Sequence, residues 1–199
     1  MMQSYLTSPK EKCPGAFTYV DSNLINNKVL FSNLQNLFPQ HQRDEVMKLD
    51  LLYRSSRDGC DNQRAYHDRV DGIQGTITVV TSAAGEIFGG YTSIAQRKLS
   101  KYWDRKDRNF PTKVKPDFDA YAFLFSLTRN EVYPIKSDSA KVALGYDYRD
   151  GSDYVAFGED DLVLGINCRG STQYFGEDFQ LPAGVEYGDP STTYLTKED

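Results

Sequence analysis

His67 is the first residue to consider for acid–base chemistry, because the chain has only two histidines. Two serines, Ser55 and Ser56, precede it at short range, and two carboxylates, Asp58 and Asp71, flank it. A serine–histidine–aspartate triad is defined by its geometry, however, and the G-x-S-x-G turn that presents a nucleophilic serine is absent. We therefore interpret His67 as a packed side chain with one polar tip. A hydrolase that uses His67 is the alternative.

The carboxylates form no recognisable metal-binding motif. Asp147, Asp150 and Asp153 lack the alternating ligands, the glycine and the final glutamate of a calcium-binding loop. We interpret the run Glu159-Asp160-Asp161 as a solvated turn before a strand. The sequence therefore predicts neither a metal nor an organic cofactor.

Two further motifs have structural explanations. Gly89-Gly90 is too short for a phosphate-binding loop and indicates a tight bend or a close approach of two backbones. Arg57 directly follows an apolar stretch, where its guanidinium can pair with a carboxylate or with loop carbonyls. We predict that Arg57 is a charged staple at the corner between a strand and a helix, with ligand binding as the alternative.

The three cysteines, Cys13, Cys60 and Cys168, are widely spaced and form no C-x-x-C pair. An odd number of isolated cysteines is typical of reduced thiols in the cytosol. A peroxide-handling enzyme that uses Cys60 is the least favoured alternative.

The charge of the chain is unevenly distributed. The formal net charge is −5 and the isoelectric point about 5.1, which argues against a nucleic-acid partner. Residues 97–115, the basic segment, nevertheless carry a net charge of +6. Such a segment is either a solvated loop or a docking surface for an acidic protein, and Trp103 within it resembles an interface anchor. The candidate partner-binding residues are Arg97, Lys98, Lys101, Trp103, Arg105, Lys106 and Arg108.

Length and patterning predict one mostly β domain (α+β class). The 199 residues suffice for one core, and about nine short apolar or β-branched runs alternate with turns. We expect an antiparallel β-sandwich flanked by two or three helices, at residues 30–38, 44–49 and 62–70. The longest apolar run, 120–127, is too short to cross a bilayer, and residues 1–15 do not resemble a signal peptide. We predict no membrane insertion and a cytoplasmic location, free or peripheral to a membrane or cytoskeletal complex.

Several of these motifs, taken in order, resemble the TLDc domain of oxidation-resistance proteins. Any one of them is weak evidence, but their order and spacing over residues 45–195 are specific. They are LLYRSSRDG at 51–59, Tyr66-His67, GTIT at 75–78, IFGGYT at 87–92, AFLFSL at 122–127 and FG…DL at 157–162.

The resemblance implies a β-sandwich without established catalytic residues. Members protect cells against oxidative stress, and several bind the vacuolar proton-pumping ATPase and alter its assembly. The signature residues are then expected to have structural roles. They are Ser55, Ser56, Arg57, Asp58, Gly59, His67, Gly89, Gly90 and Tyr91.

We predict an N-terminal arm and helix over residues 1–44, with residues 1 to about 22 irregular, and a TLDc-like domain over 45–199. The family usually ends in a closing strand, whereas here Tyr194-Leu195 is followed by only four polar residues. A missing strand exposes a sheet edge. We expect either a truncated form or an edge that another polypeptide completes.

Three functions remain open at this point. The first is a regulatory module that binds subunits of the vacuolar ATPase, or another acidic protein surface, in the oxidative-stress response. The second is a structural component of a cytoskeletal or ciliary assembly. The third is the enzyme discussed above.

Overall fold

The computed structural model describes ten stretches of the chain, and every structural statement below concerns these residues. They are residues 2–8, 38, 48–60, 63–96, 119–137, 144–145, 153–158, 161–165, 170–171 and 175–187.

Ten strands and two helices make up the described part of the chain, and every strand pairing is antiparallel. The prediction of a mostly β fold is therefore confirmed. The strands are β1 (Met2–Ser8), β2 (Lys48–Arg54), β3 (Thr76–Thr81), β4 (Ile87–Thr92), β5 (Phe123–Ser126), β6 (Glu131–Pro134), β7 (Leu144–Gly145), β8 (Asp153–Phe157), β9 (Leu162–Gly165) and β10 (Gly170–Ser171), and the helices are α1 (Ser55–Asp58) and α2 (Gln63–Val70).

The larger sheet has six strands in the order β2-β1-β3-β4-β5-β6, and the smaller has four in the order β10-β9-β8-β7. Pro134 lies in β6, an edge strand of the larger sheet, as its missing N–H predicts. A bridge between Ile135 and Phe179 continues the sheet just beyond this strand.

β1 is the main departure from the predicted elements. It pairs with β2 on one side and with β3 on the other, so the prediction of an irregular lead-in is wrong for Met2–Ser8. β1 belongs to the larger sheet although it lies in the segment that we predicted to be an arm.

Two apolar clusters occupy the two faces of the larger sheet. On one face, Tyr53 and Leu124 pack with Phe157 and Leu164 of the smaller sheet, which forms the core between the sheets. On the other face, Ile77 and its neighbours form a second cluster. Strand side chains alternate between faces, so the β-branched run of β3 contributes to both clusters.

Phe38 belongs to the second cluster, where its ring meets that of Tyr91 edge-on with centroids 5.0 Å apart. The rest of the helix predicted over residues 30–38 lies outside the described residues. The helix predicted over 44–49 is wrong at its end, because Lys48 and Leu49 begin β2. The helix predicted over 62–70 is confirmed as α2.

Candidate functional site

The corner between β2 and α1 is held by hydrogen bonds and ion pairs that centre on the carboxylate of Asp58. The carboxylate of Asp58 accepts hydrogen bonds from the Arg54 N–H at 2.9 Å and from Nε and Nη2 of Arg57 at 3.0 and 2.8 Å. Arg69 of α2 adds an ion pair at 3.4 Å. The hydrogen bond from Arg57 is the main reason that the pKa of Asp58 lies below its usual value, although burial opposes it.

Arg57 also ties the corner back to the strand, since its Nη2 donates to the Leu52 carbonyl at 3.2 Å. Its guanidinium therefore contacts both the helix and the strand, which is the arrangement expected of a staple. The side chain is nevertheless 47% exposed, so its outer surface is accessible to a partner.

The signature serines differ in their surroundings. Ser55 is buried, and its Oγ accepts the Met2 N–H at 3.1 Å. Ser56 is exposed. The Ser55 hydroxyl thus anchors the start of β1.

His67 forms a buried pair with Asp71, in which Nδ1 lies 2.8 Å from Oδ1. Tyr66 packs edge-on against the imidazole, with ring centroids 5.2 Å apart. The two aspartates considered for a triad are thus separated, because Asp58 is bound at the arginine corner and only Asp71 reaches His67. This arrangement agrees with the structural interpretation of His67.

A buried polar network lies between α2 and the larger sheet. The hydroxyl of Tyr66 donates to Oε1 of Gln96 at 3.0 Å, and Nε2 of Gln96 donates to Oγ1 of Thr76 at 3.2 Å. Ser4 and Thr78 complete the network around the same hydroxyl. Burial raises the pKa of Tyr66 to about 12, so this hydroxyl stays protonated at physiological pH.

Gln96 is the last described residue before the basic segment, and it is held on both its side chain and its backbone. Besides the contacts to Tyr66 and Thr76, its carbonyl accepts the Gly72 N–H at 2.6 Å. The chain is therefore fixed where it leaves the sheet.

Asp119 fixes the chain where it returns. Its buried carboxylate accepts hydrogen bonds from the Thr92 hydroxyl at 2.8 Å, from the Ser93 N–H and hydroxyl at 2.7 and 2.6 Å, and from the Tyr121 N–H at 3.0 Å. The described residues on either side of the basic segment are thus both held by hydrogen bonds, Gln96 to Thr76 at the start of β3 and Asp119 to Thr92 at the end of β4. The candidate partner-binding residues between 97 and 108 lie outside the described residues.

Asp161 overturns one prediction. It is fully buried, and its carboxylate accepts the N–H groups of Gly176 at 2.8 Å, Asp178 at 3.0 Å and Phe179 at 3.2 Å. The solvated turn predicted for this position is therefore wrong at Asp161. Burial raises its pKa to about 6, an effect larger than the opposing one of the three N–H donors.

The Gly-Gly-Tyr motif of β4 lies in the core. A Cβ on Gly89 would overlap the Thr78 carbonyl oxygen, and one on Gly90 would stand 2.7 Å from the Phe157 ring. The prediction of a close approach is confirmed. Tyr91 is buried and stacks on Phe123 with centroids 5.1 Å apart.

Cys60 corrects the prediction of reduced thiols, because it is disulfide-bonded. In a chain with three cysteines its partner is Cys13 or Cys168, and both lie outside the described residues. A peroxide-handling role for Cys60 loses the thiol that it requires. The cytosolic location also loses the support that reduced cysteines would have provided.

The described residues contain no group of three or more histidine, cysteine or acidic side chains placed to hold a metal ion. No helix among them has the length and apolar character needed to span a bilayer. Of the aspartates considered for calcium, Asp147 and Asp150 lie outside the described residues, and Asp153 begins β8.

Sequence reasoning missed the anchoring roles of Gln96, Asp119 and Asp161. Their position beside the basic segment is a usable signal for the first two, since long excursions from a sheet need fixed ends. For Asp161 the chain offers no local signal, because its donors lie 15 to 18 residues further on.

A family model of the TLDc domain matches residues 19–197. A search of curated proteins finds no match.

Proposed function

Since the chain belongs to the TLDc domain family, we propose that it is a regulatory module that acts by binding another protein rather than by catalysis. The proposed setting is protection against oxidative stress or regulation of the vacuolar proton-pumping ATPase, from the cytoplasmic side. The observation that carries the proposal is that Gln96 and Asp119, the described residues on either side of the basic segment, are both held in buried hydrogen bonds.

The charge of the basic segment supports a docking role. The segment has a net charge of +6, whereas the whole chain has −5. An acidic partner is therefore attracted by the basic segment and repelled by the rest of the protein. Trp103 supplies an apolar anchor of the kind that is enriched in binding hot spots. Fixed ends reduce the conformational entropy that the segment loses on binding.

The signature side chains support a non-catalytic role. Ser55, Asp58 and His67 each make a hydrogen bond that fixes a corner, a strand or a helix. Groups that hold the fold in this way make it rigid, and a rigid scaffold positions a binding segment well.

Affinity purification from the native cells, followed by mass spectrometry, tests the proposal. The wild-type chain is compared with a charge-reversed variant, Lys98→Glu/Lys101→Glu/Arg105→Glu. Arg64→Glu serves as the matched control, because Arg64 is 78% exposed on α2 and is not part of the basic segment in sequence. We expect the wild type and Arg64→Glu to recover subunits of the vacuolar ATPase, and the charge-reversed variant to lose them.

Ionic strength provides a second readout on the purified complex. The Debye screening length falls from about 10 Å at 0.1 M salt to about 3 Å at 1 M. Binding through the basic segment should therefore weaken steeply as salt is added. Recovery that is equal for all variants and insensitive to salt would contradict the docking surface. Recovery of cytoskeletal proteins instead of ATPase subunits would favour the structural-assembly alternative.

A further inference from the structure

β1 occupies an unusual position relative to the part of the chain that the TLDc family model matches. It lies between β2 and β3, whereas the match begins at residue 19. Two strands of the matched domain are therefore separated by a cleft one strand wide, and a segment from outside the match fills it. Met2–Leu6 pair with Thr76–Val80 on one side, and Gln3–Ser8 pair with β2 on the other.

The cleft selects for the sequence that occupies it. Met2 is buried in the core between the sheets, and its N–H donates to the Ser55 hydroxyl at 3.1 Å. Ser4, two residues on and facing the same way, is fully buried, and its Oγ lies 3.2 Å from Oγ1 of Thr78. The Tyr66 hydroxyl also hydrogen-bonds to the Ser4 hydroxyl. The position of Ser4 therefore requires a small side chain that carries a hydroxyl.

The connection between β1 and β2 allows this occupant to come from either of two copies of the chain. It consists of residues 9–47, within which Phe38 is packed in the second cluster. The 29 residues 9–37 therefore separate β1 from that packed residue, and they can extend to at most about 95 Å. Within one molecule or between two, β1 makes the same hydrogen bonds and buries the same side chains. The balance between the two arrangements therefore depends mainly on protein concentration, as in domain swapping.

We propose that the cleft between β2 and β3 is an acceptor site for an extended strand, and that Met2–Ser8 of a second copy enters it in exchange for the molecule's own β1. The resulting dimer contains two complete six-stranded sheets, each with one strand from the partner. This inference does not depend on the proposed binding function, because the basic segment is not involved.

The test uses the full chain, incubated at several concentrations a few degrees below its thermal midpoint and then analysed by size-exclusion chromatography with light scattering. We expect the monomer mass at low concentration and a doubled mass at high concentration. A synthetic peptide of residues 1–10 should convert the dimer to monomer. The same peptide with Ser4→Lys should dissociate the dimer only at a concentration at least about tenfold higher, since it would bury an ammonium group against Thr78 and Tyr66.

Two results would overturn the inference. One is a monomer mass at every concentration, which would mean that the cleft accepts only its own β1. The other is a dimer that neither peptide dissociates, or that both dissociate equally, which would place the dimer contact on another surface. Neither result bears on whether the chain recovers ATPase subunits, so the two proposals fail independently.

Discussion

Gly90 of β4 and Phe157 of β8 are in direct contact across the two sheets. A Cβ built on Gly90 would stand 2.7 Å from the nearest carbons of the Phe157 ring, which is closer than such atoms approach. Gly90 is not among the residues with positive φ, so the need for glycine here is steric and not conformational. The sheets approach each other because one strand presents no side chain where the other presents a ring.

Gly90→Ala should lower the free energy of unfolding by about 1–3 kcal/mol, the usual cost of overpacking a core. Chemical denaturation measures it. The double variant Gly90→Ala/Phe157→Leu should lose less than the sum of the two single variants, because the smaller side chain makes room for the methyl group. Strictly additive effects would show that the two residues are not coupled.

Asp119→Asn should destabilise the anchor of the basic segment. The N–H groups of Ser93 and Tyr121 bind different carboxylate oxygens of Asp119, so the amide nitrogen of asparagine must face one of them. One buried donor is then left without an acceptor, at a cost of about 1–3 kcal/mol. Asp68→Asn is the matched control, since Asp68 is 56% exposed on α2 and the same substitution there removes only an exposed ion pair with Arg64, which contributes little. Equal melting temperatures for the two variants would contradict the anchoring role.

Local patterns predicted much of the fold. β3, at Thr76–Thr81, is one of the β-branched runs that the patterning predicts as strands, because such a run suits few other structures. Pro134 lies in the edge strand β6, where a residue without an N–H is tolerated. The structural use of Gly89-Gly90 was also expected, although Phe157 could not be named as the neighbour.

Features that depend on distant partners could not be predicted. Met2–Ser8 show only weak alternation, and their neighbours in β3 lie 70 to 78 residues away. In the sequence Asp161 resembles a solvated carboxylate, because the N–H groups that bind it belong to residues 176–179 and only the folded chain places them beside it. The helix expected over 44–49 fails at its end for the same reason, because Lys48 and Leu49 pair with β1 as part of β2.

Arg57→Ala should lower the melting temperature by a few degrees, because it removes the bonds from the guanidinium to Asp58 and to the Leu52 carbonyl. Arg57→Lys keeps the charge but not the planar fork, so it should recover only part of the loss. Arg64→Ala, on the exposed face of α2, should have no effect. Thermal unfolding compares the three variants.

The pH dependence of this variant follows from Asp58. Arg57 lowers the pKa of Asp58 in the folded state. The stability that the bond between Arg57 and Asp58 contributes is therefore present above the unfolded-state pKa of Asp58. It is lost as pH falls through the folded-state pKa. The difference between wild type and Arg57→Ala should therefore shrink in acid. An unchanged melting temperature combined with lost partner binding would instead favour ligand binding by Arg57.

Tyr66→Phe should cost about 1–2 kcal/mol, because the buried Oε1 of Gln96 loses the hydroxyl that donates to it at 3.0 Å. The ring and its edge-on contact with Tyr53 remain, so the loss reports on the hydrogen bonds of the hydroxyl, to Gln96 and to its neighbours Ser4 and Thr78. Tyr121→Phe is the control, since the Tyr121 side chain is exposed. A variant as stable as wild type would mean that water or another donor replaces the hydroxyl.

Asp161→Asn should change how stability depends on pH. In the folded state burial raises the pKa of Asp161 from 3.8 to about 6. The contribution of this group to stability is therefore fully present below about pH 4 and is lost as pH rises through 6. The shift corresponds to at most about 3 kcal/mol. Asparagine does not titrate, so the difference in unfolding free energy between wild type and variant should be largest near pH 4 and shrink towards pH 7.

Denaturant unfolding at a series of pH values measures this difference, with Glu177→Gln as the control because Glu177 is exposed beside the same loop. The control should follow the wild-type curve throughout. A difference that grows as pH rises would show that the three N–H donors of Gly176, Asp178 and Phe179 stabilise the carboxylate more than burial destabilises it. Asp161 would then fasten this loop most firmly at neutral pH, the opposite of what its burial predicts.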